Sequence, residues 1–118
     1  MSESDKPLVW LHGEVKTPPM SSAARVGTGF LLRRLQGGEL LGLPCSRPMP
    51  SIALHVHELR VVDADLSWRV VYRIDPDAIV IAEVFAKKSQ ETPKAVIDNA
   101  RRRLAAYDAA AKGDNHGR

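Results

Sequence analysis

The chain has a single cysteine, Cys45, set between Pro44 and Ser46 in a loop-like stretch. An internal disulfide is therefore excluded, and reducing, intracellular surroundings fit better than secretion. Long apolar runs are missing too. Near the N-terminus the longest is Leu8 to Leu11, too short for a signal-peptide core or a membrane span. A cytoplasmic protein with no membrane partner is expected. Metal ligands are scarce: His55 and His57 stand two apart, but no second cysteine and no third histidine within reach completes a site. The excess of positive charge is small, +3 with a pI near 9.3, which is compatible with a nucleic-acid partner without demanding one. There is no internal repeat. At 118 residues the chain makes one domain with its own core. Its expected extent is 7–108, between a frayed N-terminus at 1–6 and a flexible C-terminal tail at 109–118.

What is present centres on His57 to Lys94. Trp68-Arg69-Val70-Val71-Tyr72-Arg73-Ile74 is rich in β-branched and aromatic residues, as strands are. Asp75-Pro76-Asp77 supplies turn chemistry, since proline presets φ and aspartate bonds to nearby backbone. Ala78 to Phe85 is apolar on both parities except at Glu83, the pattern of a central strand covered on both sides. Lys87-Lys88 closes that strand with positive charge. Thr92 then offers an N-cap and Pro93 a first helical position.

Register carries the reading further. A four-residue link that sets Val62 opposite Ser67 also sets Arg60 opposite Arg69 and Glu58 opposite Val71. Leu59 and Val61 then share a face with Trp68, Val70 and Tyr72. If Ile74 faces Ala78 across the next turn, Arg69 faces Glu83. One sheet face is apolar and suited to carrying helices. The other gathers Glu58, Arg60, Arg69, Arg73, Glu83 and Lys87. Arg60 opposite Arg69 is a like-charge pair, costly unless an anion lies between them. Arg69 also has a plainer reading, a surface pair with Glu83, and Lys87-Lys88 one as a solvated strand edge.

Before this centre, Leu8 to Leu11 reads as a short strand. Ser21 or Ser22 caps a helix to about Gln36, with Ala23, Val26, Gly27, Phe30, Leu31 and Leu35 as its apolar stripe. Gly27 and Gly29 leave open a break into two helices. Leu40 to Ser51, rich in Gly and Pro, reads as an ordered loop. After Pro93, a helix aligns Val96, Ile97, Ala100, Leu104 and Tyr107 on one face, with Arg101-Arg102-Arg103 mostly outside it. The expected fold class is α+β, a small antiparallel sheet in β-α(α)-β-β-β-α order with the helices on one face.

Three motifs carry a resemblance: Glu58-Leu59-Arg60, then Trp68-Arg69-Val70-Val71-Tyr72, then Val84-Phe85-Ala86-Lys87-Lys88 followed by Thr92-Pro93. In this order the chain resembles the HigB-like, phage-derived branch of the RelE/ParE toxin superfamily of type II toxin–antitoxin modules. The resemblance implies a compact sheet with an open basic face. It implies a ribosome-dependent mRNA endonuclease (mRNA interferase) that drives the RNA's own 2′-hydroxyl onto the adjacent phosphate, without metal or cofactor. Its implied partners are mRNA, the ribosome and a cognate helix-turn-helix antitoxin. By the same likeness Arg69 contacts phosphate, Lys87 and Lys88 stabilise the transition state or exchange protons, and Glu58 is a candidate base. Arg60, Arg73, Lys94 and Arg101 are the candidate RNA-binding residues. No His or Tyr follows Lys88 before Tyr107, so no acid is assigned to the leaving group. That gap keeps open a non-enzymatic toxin of the gyrase-poisoning type, or a phage-derived remnant that only binds RNA or a partner.

Overall fold

The computed structural model describes residues 5–87 and 91–116. Five strands and two helices follow in the order β1 (Leu8–Trp10), α1 (Ser22–Gln36), β2 (Ser46–Pro48), β3 (Val56–Asp63), β4 (Leu66–Ile74), β5 (Ile79–Lys87) and α2 (Lys94–His116). The α+β class holds. Across the sheet the order is β1-β5-β4-β3-β2. The β3-β4-β5 meander is antiparallel, but β1 runs parallel to β5, with Leu8 opposite Ile79. The sheet is therefore mixed, not antiparallel throughout. β2 is a strand where a loop was expected: Ser46-Arg47-Pro48 has no apolar alternation and is held as an edge by pairing to β3.

The β3–β4 register is the expected one, with Val62 opposite Ser67, Arg60 opposite Arg69 and Glu58 opposite Val71, but Asp63 also pairs with Leu66, so the link is a two-residue turn and not four residues. The β4–β5 register differs. Ile74 faces Ile79, and a bulge near Val71 and Tyr72 then inserts an extra residue, Ala82. Arg69 consequently faces Phe85, and Glu83 faces Val71.

Helices cover both faces of the sheet, not one. α1 packs Leu32 and Leu35 on Leu59, Val70, Tyr72, Ile79 and Ile81. α2 packs Ala100 and Leu104 on Val56, Val71, Val80 and Ala82, with Val96, Ile97 and Tyr107 flanking. Val71 and Tyr72 are adjacent on one strand and so point to opposite faces. The double cover explains why Ala78 to Phe85 is apolar on both parities. α1 is one unbroken helix, and Ser21 accepts the Ala24 N–H at its N-cap. Its buried face is Ala24, Thr28, Leu32 and Leu35, whereas Val26 and Phe30 of the expected stripe are exposed. The Thr28 hydroxyl donates to the Ala24 carbonyl at 2.8 Å, so a small polar residue enters the core satisfied. α2 continues through 109–116, where a tail was expected. Among the described residues no helix is long and apolar enough to cross a membrane.

Candidate functional site

The site lies on the α2 side of the sheet, toward the β3–β4 turn. Alternation along β3 puts Glu58 and Arg60 on this side, and cross-strand pairing adds Arg69 from β4. Ser67 and Lys87 pair at the far end of β4 and β5, and Arg47 enters from β2 opposite Glu58. The segment before α2 brings in Thr92.

Glu58 is the centre, and its side chain is fully buried. Arg69 Nη1 donates to Oε1 at 2.7 Å, and Arg47 Nε reaches the same oxygen at 3.3 Å. Oε2 accepts from the Thr92 hydroxyl at 2.8 Å. Burying a carboxylate is tolerable only with such partners. Arg69 is itself almost wholly buried, with Nε donating to the Ser67 hydroxyl at 2.9 Å. Thr92 Oγ1 also accepts from Arg47 Nη2 at 3.3 Å and Lys87 Nζ at 3.4 Å. The Lys87 ammonium is held below its ordinary range, chiefly by burial, against the pull of Glu58 and with help from the nearby Arg69, Arg47 and Arg60. Two recesses flank the cluster. One, of about 300 Å³, is lined by Pro44, Cys45, Arg60, Val62 and Ser67. The other, of about 470 Å³, is lined by Arg47, Met49, Ser51, Glu91, Thr92 and Ile97.

Of the residues singled out in the sequence, Glu58, Arg60, Arg69 and Lys87 come together here. Arg69 pairs with Glu58 and not with Glu83, which instead binds Arg103 at 2.9 Å. Glu58 supplies the negative partner of Arg69, while the opposed Arg60 lines the smaller recess. Arg73 lies at the other end of β4, clamped by Asp75 at 2.6 Å and by Asp108 of α2 at 2.7 Å. Lys94 is exposed and pairs with Asp98 one turn along α2. Arg101 donates to the backbone carbonyls of Ser51 and Ile52 beside the larger recess. Lys88 lies outside the described residues. His55, two residues from His57, precedes β3, exposed and at φ 63°, while His57 lies within β3 and stacks on Tyr72 at 5.5 Å.

Sequence reading missed two members. Arg47 sits in an unpatterned stretch, and only the β2–β3 register, which places it opposite Glu58, could have found it. Thr92 was read as an N-cap, yet its hydroxyl proton is turned to Glu58.

Residues 19–105 match the family model for phage-derived protein Gp49-like (DUF891), so the match takes in every member of the cluster. No curated protein and no solved structure matches the chain.

Proposed function

The chain belongs to the Gp49-like phage-derived family, a RelE/ParE-like toxin family, and on that footing we propose that it is the toxin of a type II toxin–antitoxin module that cleaves mRNA on the ribosome. One observation carries the step from family to reaction: Arg47 and Arg69 bond to one buried carboxylate, Glu58, while Arg60 and Lys87 stand close enough for all five charges to act on one another. A structural ion pair needs one cation. Four cations around that buried carboxylate, with Glu91 the further acid at the recess, leave a local positive excess among the described residues, suited to a polyanion.

The cluster divides the labour. Arg69 is held behind Glu58 and fixes the carboxylate, while the less buried Arg47 and Arg60 line the flanking recesses and meet phosphate from the rim. Lys87, held below the usual ammonium range by burial, is the group poised to take a proton. In its neutral form it accepts the 2′-hydroxyl proton as the 2′-oxygen bonds to phosphorus. The bond from phosphorus to the 5′-oxygen breaks, leaving a 2′,3′-cyclic phosphate and a 5′-oxygen that takes up a proton. Both oxygens of Glu58 are already engaged, so it holds the cations in place and is not the base. A helix-turn-helix antitoxin remains the partner expected from the family likeness, and the cytoplasm the expected place.

Primer extension on a defined mRNA in a purified translation reaction tests this reading. Cuts should appear only with ribosomes present. Lys87→Met, which removes the amine and keeps the chain length, should slow them by roughly 10²–10⁴-fold. Intact mRNA with folded protein would overturn the nuclease reading, and inhibition of purified DNA gyrase would then be measured.

A further inference from the structure

α2 begins at Lys94, and the Thr92 hydroxyl, expected to cap it, donates to Glu58 instead. Its hydroxyl has one proton to give and two lone pairs. Among the described residues, the neighbours within reach of Oγ1 are Glu58 Oε2 at 2.8 Å, Arg47 Nη2 at 3.3 Å and Lys87 Nζ at 3.4 Å. Guanidinium and ammonium groups only donate, so the Thr92 proton goes to the carboxylate and its lone pairs face the two cations. The polarity of the hydroxyl is thus fixed by its surroundings. At the start of α2 the Pro93 carbonyl already accepts from Val96 at 3.0 Å and Ile97 at 3.2 Å.

We propose that Thr92 is a positioning residue whose hydroxyl links Lys87 to the Glu58 carboxylate and thereby sets how readily Lys87 gives up its proton. Thr92 bonds both to Glu58 of β3 and to Lys87 of β5, and so joins the two strands. Polarised by Glu58, Oγ1 is a better acceptor for the Lys87 ammonium than an isolated hydroxyl. It offsets part of the burial that disfavours the charged form, and it holds the amine in one orientation. Among the charges that act on Lys87 are Arg69 on β4, Arg60 on β3 and Arg47 on β2, all positive, and the negative Glu58. Glu91, exposed, lines the adjoining recess with Arg47 and Thr92. Through Lys87 the inference rests on the nuclease reading for its use, but not for its test.

The test is a ¹³Cε/¹⁵Nζ NMR titration of Lys87 in the wild type, Thr92→Val, Thr92→Ser and Thr92→Cys. Valine keeps the volume and removes the hydroxyl, so the Lys87 pKa should fall by roughly one unit, the scale of one lost hydrogen bond to a charged group. Serine should restore it to within a few tenths. Cysteine, a weak hydrogen-bonding group, should give a shift of the same sign and smaller size, and it decides the matter if the valine variant does not fold. The pH profile of mRNA cleavage should move with the titration. A capping role alone would lower the melting temperature and leave the Lys87 titration in place. An unmoved Lys87 pKa in Thr92→Val, or an equal displacement in Thr92→Ser, would overturn the proposal. The titration needs neither ribosome nor RNA, so failure of the wild type to cut mRNA removes the nuclease reading alone.

Discussion

Arg69 and Glu58 sit two residue steps apart along the β3–β4 ladder, joined by a 2.7 Å hydrogen bond, with both side chains almost wholly out of solvent. Removing either partner strands a charge in a place water does not reach. Arg69→Ala should therefore destabilise the fold by about 3–5 kcal/mol. Arg47→Ala, whose guanidinium is a third exposed and at 3.3 Å from the same oxygen, should cost no more than about 1 kcal/mol. Urea denaturation of the two variants measures the difference. Equal stabilities would mean that Glu58 is held by its other contacts and that Arg69 is available for phosphate. The same reasoning makes Arg69→Ala a poor probe of catalysis, because loss of activity would not be separable from loss of the site's frame.

The meander was legible in the sequence because its turns and alternation agree. The two-residue turn at Ala64-Asp65 sets the β3–β4 register, with Ala64 at φ 57° absorbing the reversal. The β4–β5 register was misread twice, by one residue at the Asp75 turn and by one more at the bulge. Two single slips restore parity, so Glu83 and Lys87 still fall on the face of Arg69 even though their partners were wrong. The bulge has no signature in the stretch Ile79 to Glu83, which is simply apolar. Helices on both faces were hidden for a related reason: a strand buried on both sides does not say which elements bury it. β1 was legible as a strand but not its parallel pairing to β5, and β2, three residues long, is too short to carry a pattern, so Arg47 was lost with it.

The orientation of α1 gives a direct check on a face that hydrophobicity alone misassigns. Val26 and Phe30 looked like core residues, yet Phe30 is 62% exposed and Leu32 only 3%. Phe30→Ser should change stability by no more than about 0.5 kcal/mol, whereas Leu32→Ala should cost about 2–5 kcal/mol. Thermal or urea unfolding of both variants distinguishes the two packings. A large loss at Phe30 with little at Leu32 would place the helix in the rotation expected from its apolar stripe.

His57 gives the fold a pH dependence of definite sign. Its ring stacks on Tyr72 at 5.5 Å, its Nδ1 is buried with no hydrogen-bond partner among the described residues, and burial, with His55 second, pushes its pKa below the ordinary value of 6.5. The unfolded chain therefore binds the proton more readily than the folded one. Stability rises with pH where this difference operates, so it should be lost as pH falls below about 6.5 and level off below the folded pKa. Other shifted groups lie outside this window. Asp63, Asp98 and Asp108, held low by their hydrogen bonds, lose their contribution only as pH falls through the usual carboxylate range and below. Lys87 remains protonated in the unfolded chain well above it. His57→Phe keeps an aromatic ring on Tyr72 and removes the titration. Melting temperatures measured from pH 7.5 to pH 5 should decline for the wild type and stay nearly flat for His57→Phe. Parallel curves would show that protonation of His57 costs the fold nothing, and that its orphaned nitrogen finds a partner once charged.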